Sequence, residues 1–343
     1  MKIVCDDKIP FIQPALRELA DELVVKAGAE IGPDDVHDAT ILVVRTRTRC
    51  DRHLLEGSSV RLVVTATIGY DHLDTEWLSA AGIQWTNCPG CNATSVAQYV
   101  GSCLLLLQQQ RGMLLGETTV GIIGVGHVGT AVALRLEEMG IKEILLYDPF
   151  RQEAGELPPE GLVWNSLEQV LEGSQVITLH TPLTLDGSHP THHLVDDTFL
   201  SHMRPHSVLI NAARGGVADE RAVLKALDSE RLAEAIIDTW EGEPLINTEL
   251  LQKAFIGTPH IAGYSSDGKA NATRMSLSAI CRFLGRPMTF TIQPPALPAG
   301  LVLSSHPEER AMQLYDPRRD SEALKNNPTS FEWLRGHYPL RRE

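Results

Sequence analysis

A glycine-rich segment, GVGHVG, places Gly124, Gly126 and Gly129 at the spacing of a dinucleotide-binding loop. The apolar run TTVGII precedes it and the helical pattern TAVALRLEEMG follows it, which is the context that such a loop needs. Glycines there allow a tight turn and let a pyrophosphate approach the N-terminus of the helix. Asp148 ends the next strand-like run, where its carboxylate would bind the adenosine ribose and repel a 2′-phosphate. The pattern therefore predicts NAD rather than NADP as the cofactor.

Three polar residues each follow a strand-like run in the second half of the chain. Arg214 comes after SVLINAA, Glu243 lies in DTWEGEP, and His260 ends FIGTPH. Ligands of open α/β sheets bind at the carboxyl ends of the strands. Hydride chemistry on a hydroxy acid needs a base for the alcohol proton and a cation for the carboxylate. We therefore expect these three residues to form a catalytic set.

Two other clusters contain residue types that bind metals. Cys88 and Cys91 form a CxxC, but no second CxxC completes a tetrahedral site. The segment SHPTHHL holds His189, His192 and His193, without an acidic or thiol residue spaced as a partner, and favours a surface loop. We expect no metal, since hydride transfer to NAD does not require one.

The elements that must position these residues alternate along the chain. Segments with helical spacing lie between most of the β-branched runs, and a long apolar stretch from Ala93 predicts a buried helix. A stretch from Pro14, PALRELADELVVKAG, has the same helical spacing. This alternation predicts a doubly wound α/β fold with parallel strands. The strand-like runs are KIVC, ILVV, RLVV, VGII, EILLY, QVITL, SVLIN and AIID.

Beyond Arg286 the composition changes, because several prolines interrupt any regular element. The remaining chain carries Tyr315, Phe331, Trp333 and Tyr338 among charged residues. A segment too short to fold alone but rich in aromatic anchors is expected to pack on another surface, such as a second subunit.

Composition limits the functional classes. With 343 residues, 43% hydrophobic and 22% charged, the chain is long enough for two domains. Its net charge of -14 opposes general binding to nucleic acid or anionic lipid. We see neither a signal-peptide pattern nor a membrane-length apolar run, and expect a cytoplasmic protein. The six cysteines are too sparse for a disulfide framework, so we expect free thiols.

The order of motifs resembles the D-2-hydroxyacid dehydrogenase family over residues 1 to about 285. After the glycine loop and Asp148 come HTPL from His180, NAARG from Asn211, DTWEGEP from Asp238 and GTPHIAGY from Gly257. The resemblance implies two doubly wound parallel-sheet domains with the active site in the cleft between them. A flavodoxin-like substrate domain would span 1–91 and 264–286, a Rossmann NAD domain 92–263, and a C-terminal segment that forms a homodimer 287–343.

The resemblance also assigns roles to individual residues. It makes His260 the acid–base group, Glu243 its hydrogen-bond partner, and Arg214 the group that binds the carboxylate and the reacting oxygen. A carboxylate beside an imidazole favours the protonated ring and so strengthens the base. The remaining implied contacts are Gly124, Gly126, His127, Val128, Gly129, Asp148, Thr181, Ala212, Ala213, Arg214, Asp238 and Gly263 for NAD, and Thr46, Thr67 and Tyr264 for the substrate.

Flanking motifs are similar to a branch of the family that acts on a phosphorylated hydroxy acid. They are TATIGYDH, PGCNATSVAQYV, HIAGYSSDGKA, YDPRRD and HYPLRRE. A phosphate needs positive charge, and the first three arginines of VRTRTRCDR would share one face of an extended chain. We expect Arg45 or Arg47 to bind the phosphate, with Lys8 as a second candidate and an exposed surface patch as the alternative.

Other substrates and one other class stay open at this point. The same chemistry could serve phosphoglycerate, glyoxylate or hydroxypyruvate. Against phosphoglycerate, the sequence does not predict the regulatory C-terminal α/β domain of a phosphoglycerate dehydrogenase. An NAD-sensing corepressor on the same fold is the alternative of a different class, and the lack of a basic surface disfavours it. Tyr70 stands where family members commonly carry a smaller residue, and the segment after Arg286 is short for the family.

Overall fold

The computed structural model describes residues 1–297 and 299–343, and these form eleven β-strands and fifteen α-helices. The strands are β1 Lys2–Asp6, β2 Glu22–Lys26, β3 Ile41–Val44, β4 Leu62–Thr65, β5 Gln84–Thr86, β6 Thr119–Ile123, β7 Glu143–Tyr147, β8 Val176–Leu179, β9 Ser207–Asn211, β10 Leu232–Ile237 and β11 Ile256–Gly257. The helices are α1 Gln13–Leu19, α2 Pro33–Val36, α3 Arg52–Leu55, α4 Thr75–Ala80, α5 Ala93–Arg111, α6 His127–Glu138, α7 Pro149–Glu153, α8 Leu167–Gly173, α9 Asp197–His202, α10 Glu220–Asp228, α11 Thr248–Lys253, α12 Ser266–Phe283, α13 Pro307–Leu314, α14 Pro317–Asn326 and α15 Phe331–Gly336.

The first of two compact units comprises Met1–Asn92 and Ser265–Leu297. Its five strands are parallel in the order β2-β1-β3-β4-β5, which is the flavodoxin-like order. All four residues of β3 and of β4 are buried, as expected for strands covered on both faces. Helix α12 contributes Ala270, Leu277 and Ile280 to the core of this unit.

The second unit comprises Ala93–Tyr264 and Pro298–Glu343. Its six strands are parallel in the order β11-β10-β9-β8-β6-β7. Beyond β7, Trp164 makes an isolated parallel bridge to Leu146, so the third strand of the Rossmann order is reduced to one bridge. Helix α5 packs beside α6, and its apolar residues from Cys103 to Leu107 are buried in the core.

The C-terminal residues pack on this second unit. Tyr315 and Tyr338 join the core cluster that contains α5, and Phe331 joins the cluster on the other side of the sheet. Arg341 is only 6% exposed and lies over the Tyr315 ring at 4.0 Å. Three of the four aromatics that predicted packing on another surface are thus buried within their own chain, whereas Trp333 is 62% exposed.

The predicted fold class is confirmed, because both sheets are parallel and helices alternate with the strands. The helix predicted from Pro14 is wrong in its second half. Helix α1 ends at Leu19, and the β-branched residues Val24 and Val25 instead pair with β1 as an edge strand. All six cysteines are free, as predicted, and all six are also buried. Among the described residues, no helix has both the length and the apolar character needed to cross a bilayer.

Candidate active site

The predicted dinucleotide loop joins β6 to α6 and has the space that a cofactor phosphate needs. Gly124 adopts φ +86°, and a Cβ there would lie 2.8 Å from the His180 backbone. A Cβ on Gly129 would overlap the Gly124 carbonyl oxygen, whereas a Cβ on Gly126 would meet open space. Gly126 caps α6 without a side chain, so the first N–H groups of the helix are left for a ligand. The loop therefore fits a pyrophosphate.

Asp148 follows β7 and lies beside this loop. Its Oδ2 accepts the Val125 N–H at 2.8 Å, and its Oδ1 accepts the Arg151 N–H at 3.2 Å. Each carboxylate oxygen keeps a further lone pair that can accept a ribose hydroxyl. Sequence reasoning missed Arg151, whose guanidinium donates to the Val125 carbonyl at 2.5 Å and to Glu156 at 2.7 Å.

Two polar groups after β8 are shielded from solvent and lack a hydrogen-bond partner among the described residues. They are Nδ1 of His180 and Oγ1 of Thr181. Burial lowers the pKa of His180 to about 3, so its ring is neutral although part of the residue is exposed. A buried hydroxyl without a partner is costly, and a bound ligand could supply the missing hydrogen bond. Thr181 is one of the predicted cofactor contacts.

Asp238 follows β10 and organises the loop that carries His260. The side chain is 1% exposed, and burial raises its pKa although several donors bind it. Its oxygens accept hydrogen bonds from Thr258 Oγ1 at 2.7 Å and from the N–H groups of Ile261 and Ala262 at 2.8 and 3.0 Å. The carboxylate predicted to touch NAD is therefore already engaged by the protein.

His260 and Glu243 form a carboxylate–imidazole pair. Nδ1 of His260 donates to Oε2 of Glu243 at 2.9 Å and lies 3.1 Å from Oε1. Oε1 also accepts the Trp240 N–H at 2.9 Å. Burial favours the neutral acid, but the hydrogen bond and charge of His260 outweigh it, so the pKa of Glu243 is lowered. With Nδ1 occupied, Nε2 of His260 is the nitrogen left to exchange a proton.

Arg214 lines the same pocket, which measures about 360 Å³ and includes Glu243 and His260. Asn211 Nδ2 holds the Arg214 carbonyl at 3.1 Å. The next residue, Gly215, must be glycine, because a Cβ there would overlap the Trp240 carbonyl. The structure thus brings the three predicted catalytic residues to one pocket of the second unit.

The histidine loop differs from its prediction, because it does have an acidic neighbour. His193 Nε2 lies 2.6 Å from Glu241 Oε1, and the rings of His192 and His193 stack with centroids 4.0 Å apart. The ligand atoms of these three residues lie within 4.8 Å of one another. His192 and Glu241 of this cluster also line the pocket that contains His260. The third histidine, His189, pairs separately with Glu153.

The arginine run of the first unit does not stay extended. Residues 46 and 47 form a turn after β3, so the expectation that three arginines share one face is wrong. Arg49 pairs with Asp51 at 3.0 Å and Arg52 with Glu56 at 2.7 Å. Local acids therefore engage the last two arginines of the run.

Arg45 and Lys8 lie next to each other, since Arg45 Nη1 donates to the Lys8 carbonyl at 3.3 Å. Arg47 and Thr46 are exposed on the turn. Thr67 donates from Oγ1 to the Gly69 carbonyl at 2.8 Å and lies 2.7 Å from Thr65 Oγ1.

In the second unit, the Tyr264 ring makes an edge contact with Tyr338 at 6.1 Å between centroids. Tyr70, the residue unusual for the family, is 46% exposed and lies against Trp85.

Residues 105–262 match the family model described as D-isomer specific 2-hydroxyacid dehydrogenase, NAD binding domain. An erythronate-4-phosphate dehydrogenase from Bacteroides fragilis is 50% identical over 100% of this chain and 97% of its own. One from Porphyromonas gingivalis is 41% identical over 100% and 94%. A D-lactate dehydrogenase structure from Aquifex aeolicus, complexed with NAD and lactic acid, shares the fold at TM-score 0.65 and 24% identity over 83% and 96% of the chains. The chain therefore belongs to the D-isomer-specific 2-hydroxyacid dehydrogenase family and, within it, to the erythronate-4-phosphate dehydrogenases.

Proposed function

We propose that this chain oxidises the C2 hydroxyl of 4-phospho-D-erythronate and yields (R)-3-hydroxy-2-oxo-4-phosphooxybutanoate. The observation that carries the proposal is the single pocket shared by Arg214, Glu243 and His260 in a chain 50% identical to an erythronate-4-phosphate dehydrogenase. The cofactor is NAD, which when bound accepts the hydride from C2. The product is the 2-oxo acid, with one NADH and one proton.

The proposed roles of the catalytic residues follow from charge and geometry. Arg214 binds the substrate carboxylate and the C2 oxygen, because its planar guanidinium matches a carboxylate with two parallel hydrogen bonds. His260 takes the alcohol proton on Nε2, since Nδ1 is held by Glu243. The resulting imidazolium is then stabilised by the Glu243 carboxylate.

The proposed NAD contacts lie in the glycine loop and in the segments that follow strands β7 to β11. Asp148 lies where the adenosine ribose would be bound, and its negative charge disfavours a 2′-phosphate. The other proposed contacts are Gly124, Gly126, His127, Val128, Gly129, Thr181, Ala212, Ala213, Arg214, Asp238 and Gly263. Asp238 would act through its backbone or through the loop that it holds, since the residue is 1% exposed and three donors already bind its carboxylate.

For the substrate phosphate we propose Arg45 and Arg47, with Thr46, Thr67 and Tyr264 as further substrate contacts. Arg45→Glu and Arg47→Glu should each raise the KM for 4-phospho-D-erythronate more than tenfold, because a bound dianion would meet a negative charge, on the order of 1.4 kcal/mol or more. Arg49→Glu is the matched control, since Arg49 is already paired with Asp51. Equal KM values in all three variants would mean that these arginines form an exposed surface patch without a role in substrate binding.

We further propose that the enzyme is a cytoplasmic homodimer acting in pyridoxal 5′-phosphate (pyridoxine) biosynthesis, without nucleic-acid or membrane partners. Exposed Trp333 on α15 and exposed Val302 support a subunit contact near the C-terminal segment. Light scattering of Trp333→Glu should then give a smaller mass than the wild type. An unchanged mass for the two proteins would remove this residue from the interface.

The function is tested by incubating the purified protein with a panel of 2-hydroxy acids, with and without NAD and a 2-oxo acid acceptor. We expect product from 4-phospho-D-erythronate and much less from 3-phosphoglycerate, glycolate or glycerate. Preference for one of the latter would reassign the substrate within the same chemistry. Hydroxyacid-dependent NADH formation of any kind would eliminate an NAD-sensing corepressor.

A further inference from the structure

The C-terminal segment brings a cation to the carboxylate that orients His260. Arg335 lies on α15, and its Nη1 is 3.6 Å from Oε2 of Glu243. The same oxygen accepts the hydrogen bond from His260 at 2.9 Å. We propose that Arg335 is a positioning residue of the reaction, which keeps the Glu243 carboxylate ionised and directed at His260. The proposal rests on the proposed function only in taking His260 as the acid–base group.

Packing fixes the position of Arg335. Phe331, one helical turn earlier on the same face of α15, is fully buried in a core cluster of the second unit. The Arg335 side chain is 29% exposed, and its Nε is shielded from solvent with no hydrogen-bond partner in the described part of the chain. An unpartnered buried donor costs free energy, so this placement calls for a compensating interaction. The ion pair between Nη1 and Glu243 Oε2, at 3.6 Å, is the interaction that the structure supplies to this guanidinium, while Nε itself stays without a partner among the described residues.

Glu243 needs a second cation because His260 changes charge during the reaction. The Glu243 side chain is 19% exposed, and burial favours its neutral form. While His260 is protonated, its charge offsets that effect. The base that accepts the substrate proton is neutral His260, which still donates its Nδ1–H to Glu243 but carries no charge. In that state the Trp240 N–H also binds the carboxylate, and Arg335 supplies a positive charge beside it. Arg335 therefore acts in the step in which His260 must be neutral in order to accept the substrate proton.

A positive charge near the imidazole also opposes its protonation. The proposal therefore predicts the direction in which the pH profile moves when Arg335 is removed. Removing Arg335 should let His260 take up a proton at higher pH. The other charged or titratable groups near this pair are Glu220, Glu241, Asp238, His192 and His193, with Arg214 in the pocket. None of them is altered in an Arg335 variant, so a displaced pH profile reports on Arg335.

The test compares the full-length wild type with Arg335→Gln, Arg335→Lys and the control Arg318→Gln, whose parent residue pairs with Asp316. In Arg335→Gln we expect kcat to fall about tenfold, which corresponds to ~1.4 kcal/mol, and KM for the hydroxy acid to stay unchanged. The acidic limb of the kcat/KM profile should move up by roughly half to one pH unit. Arg335→Lys should restore most of both properties, and Arg318→Gln should match the wild type.

Several results would overturn the proposal. A lower kcat with no shift in the acidic limb of the kcat/KM profile would mean that Arg335 has only a structural role. A higher KM would mean that it contacts the substrate. If Arg335→Gln does not fold, Arg335→Met keeps the apolar stem without the charge, and failure of both to fold also assigns a structural role. An NMR titration of the His260 ring in the free protein needs no substrate. It therefore tests Arg335 even if the wild type does not oxidise 4-phospho-D-erythronate.

Discussion

His260 adopts φ +56°, a left-handed conformation that costs a non-glycine residue on the order of 1 kcal/mol or more. Its N–H donates to the carbonyls of Asp238 at 2.8 Å and Thr258 at 3.0 Å, and the Asp238 carboxylate binds the next two N–H groups. The backbone is thereby held in the strained conformation that presents Nδ1 to Glu243. Such strain is typical of functional sites and supports the proposed role of His260 as the residue that exchanges the proton.

His260→Asn should lower turnover by about 10² to 10⁴-fold, because asparagine tolerates the left-handed backbone but cannot take the proton. NAD affinity should stay within about twofold, since the glycine loop is untouched. NADH absorbance measures the turnover, and calorimetry measures the NAD affinity. His206→Asn is the matched control, because His206 has φ +58° and lies exposed. Wild-type turnover in His260→Asn would contradict the mechanism.

Residue types and motif context predicted the three residues that share the pocket and the glycine loop between β6 and α6, but not their long-range neighbours. Glu241 and His193 are 48 residues apart, and nothing in the spacing of either motif indicates that they meet. Arg335 is still more distant in sequence from Glu243. These contacts depend on how α15 and the histidine loop pack, which periodicity does not encode.

At the scale of elements, the β6–α6 connection shows why each glycine is required. Gly129 lies where any side chain would strike the Gly124 carbonyl, whereas Gly126 faces open space. Gly129 therefore serves the close packing of strand and helix, and Gly126 serves the approach of a ligand.

Gly129→Ala should destabilise the protein by about 1–3 kcal/mol, because the added methyl group cannot be accommodated without moving the backbone. Gly126→Ala should leave stability within roughly 0.5 kcal/mol of the wild type and weaken NAD binding about tenfold or more. Urea unfolding and NAD titration of both variants check this pair. Tight NAD binding by Gly126→Ala would mean that the phosphates are bound elsewhere.

Glu220, at the first position of α10, makes stability depend on pH. Burial raises its pKa from 4.5 to about 7, although Oε1 accepts the Glu241 N–H at 2.8 Å. The folded state thus binds this proton more tightly than the unfolded chain, and stability falls as the pH rises from about 4.5 to about 7. Glu220→Gln removes that loss while keeping an acceptor for the N–H.

We therefore expect Glu220→Gln to be more stable than the wild type above pH 7, by about 1–3 kcal/mol, and to match it near pH 4.5. Urea unfolding of both proteins at the two pH values measures the difference. Glu168→Gln, an exposed carboxyl in the first turn of α8, is the control. A stability difference independent of pH would mean that Glu220 is ionised in both states.

Strand identity was largely predictable because buried parallel strands appear as β-branched runs. The exceptions are short or lie at an edge. Leu23 to Val25 continue the helical pattern of α1, and only pairing with β1 makes them a strand. β5 has three residues and β11 two, and runs of that length carry no usable periodicity.

At the scale of the whole molecule, the C-terminal segment is part of the second unit rather than an independent appendage. Arg341 donates to the carbonyls of Ile261 and Ala262 at 3.0 and 2.5 Å, directly after His260. Arg335 faces Glu243 from the same segment. The C-terminal segment therefore contacts both Glu243 and the loop that follows His260, and shortening this segment should lower turnover.

The proposed reaction is the oxidation of a phosphorylated four-carbon hydroxy acid with NAD. Its most direct test is the ratio of kcat/KM for 4-phospho-D-erythronate to that for D-erythronate, from product formation with NAD and a 2-oxo acid acceptor present. We predict a ratio of about 10² or more, because the proposed phosphate contacts, Arg45 and Arg47, would make charge-assisted hydrogen bonds only with the phosphorylated substrate. A ratio near one, or no product from 4-phospho-D-erythronate, would contradict the account.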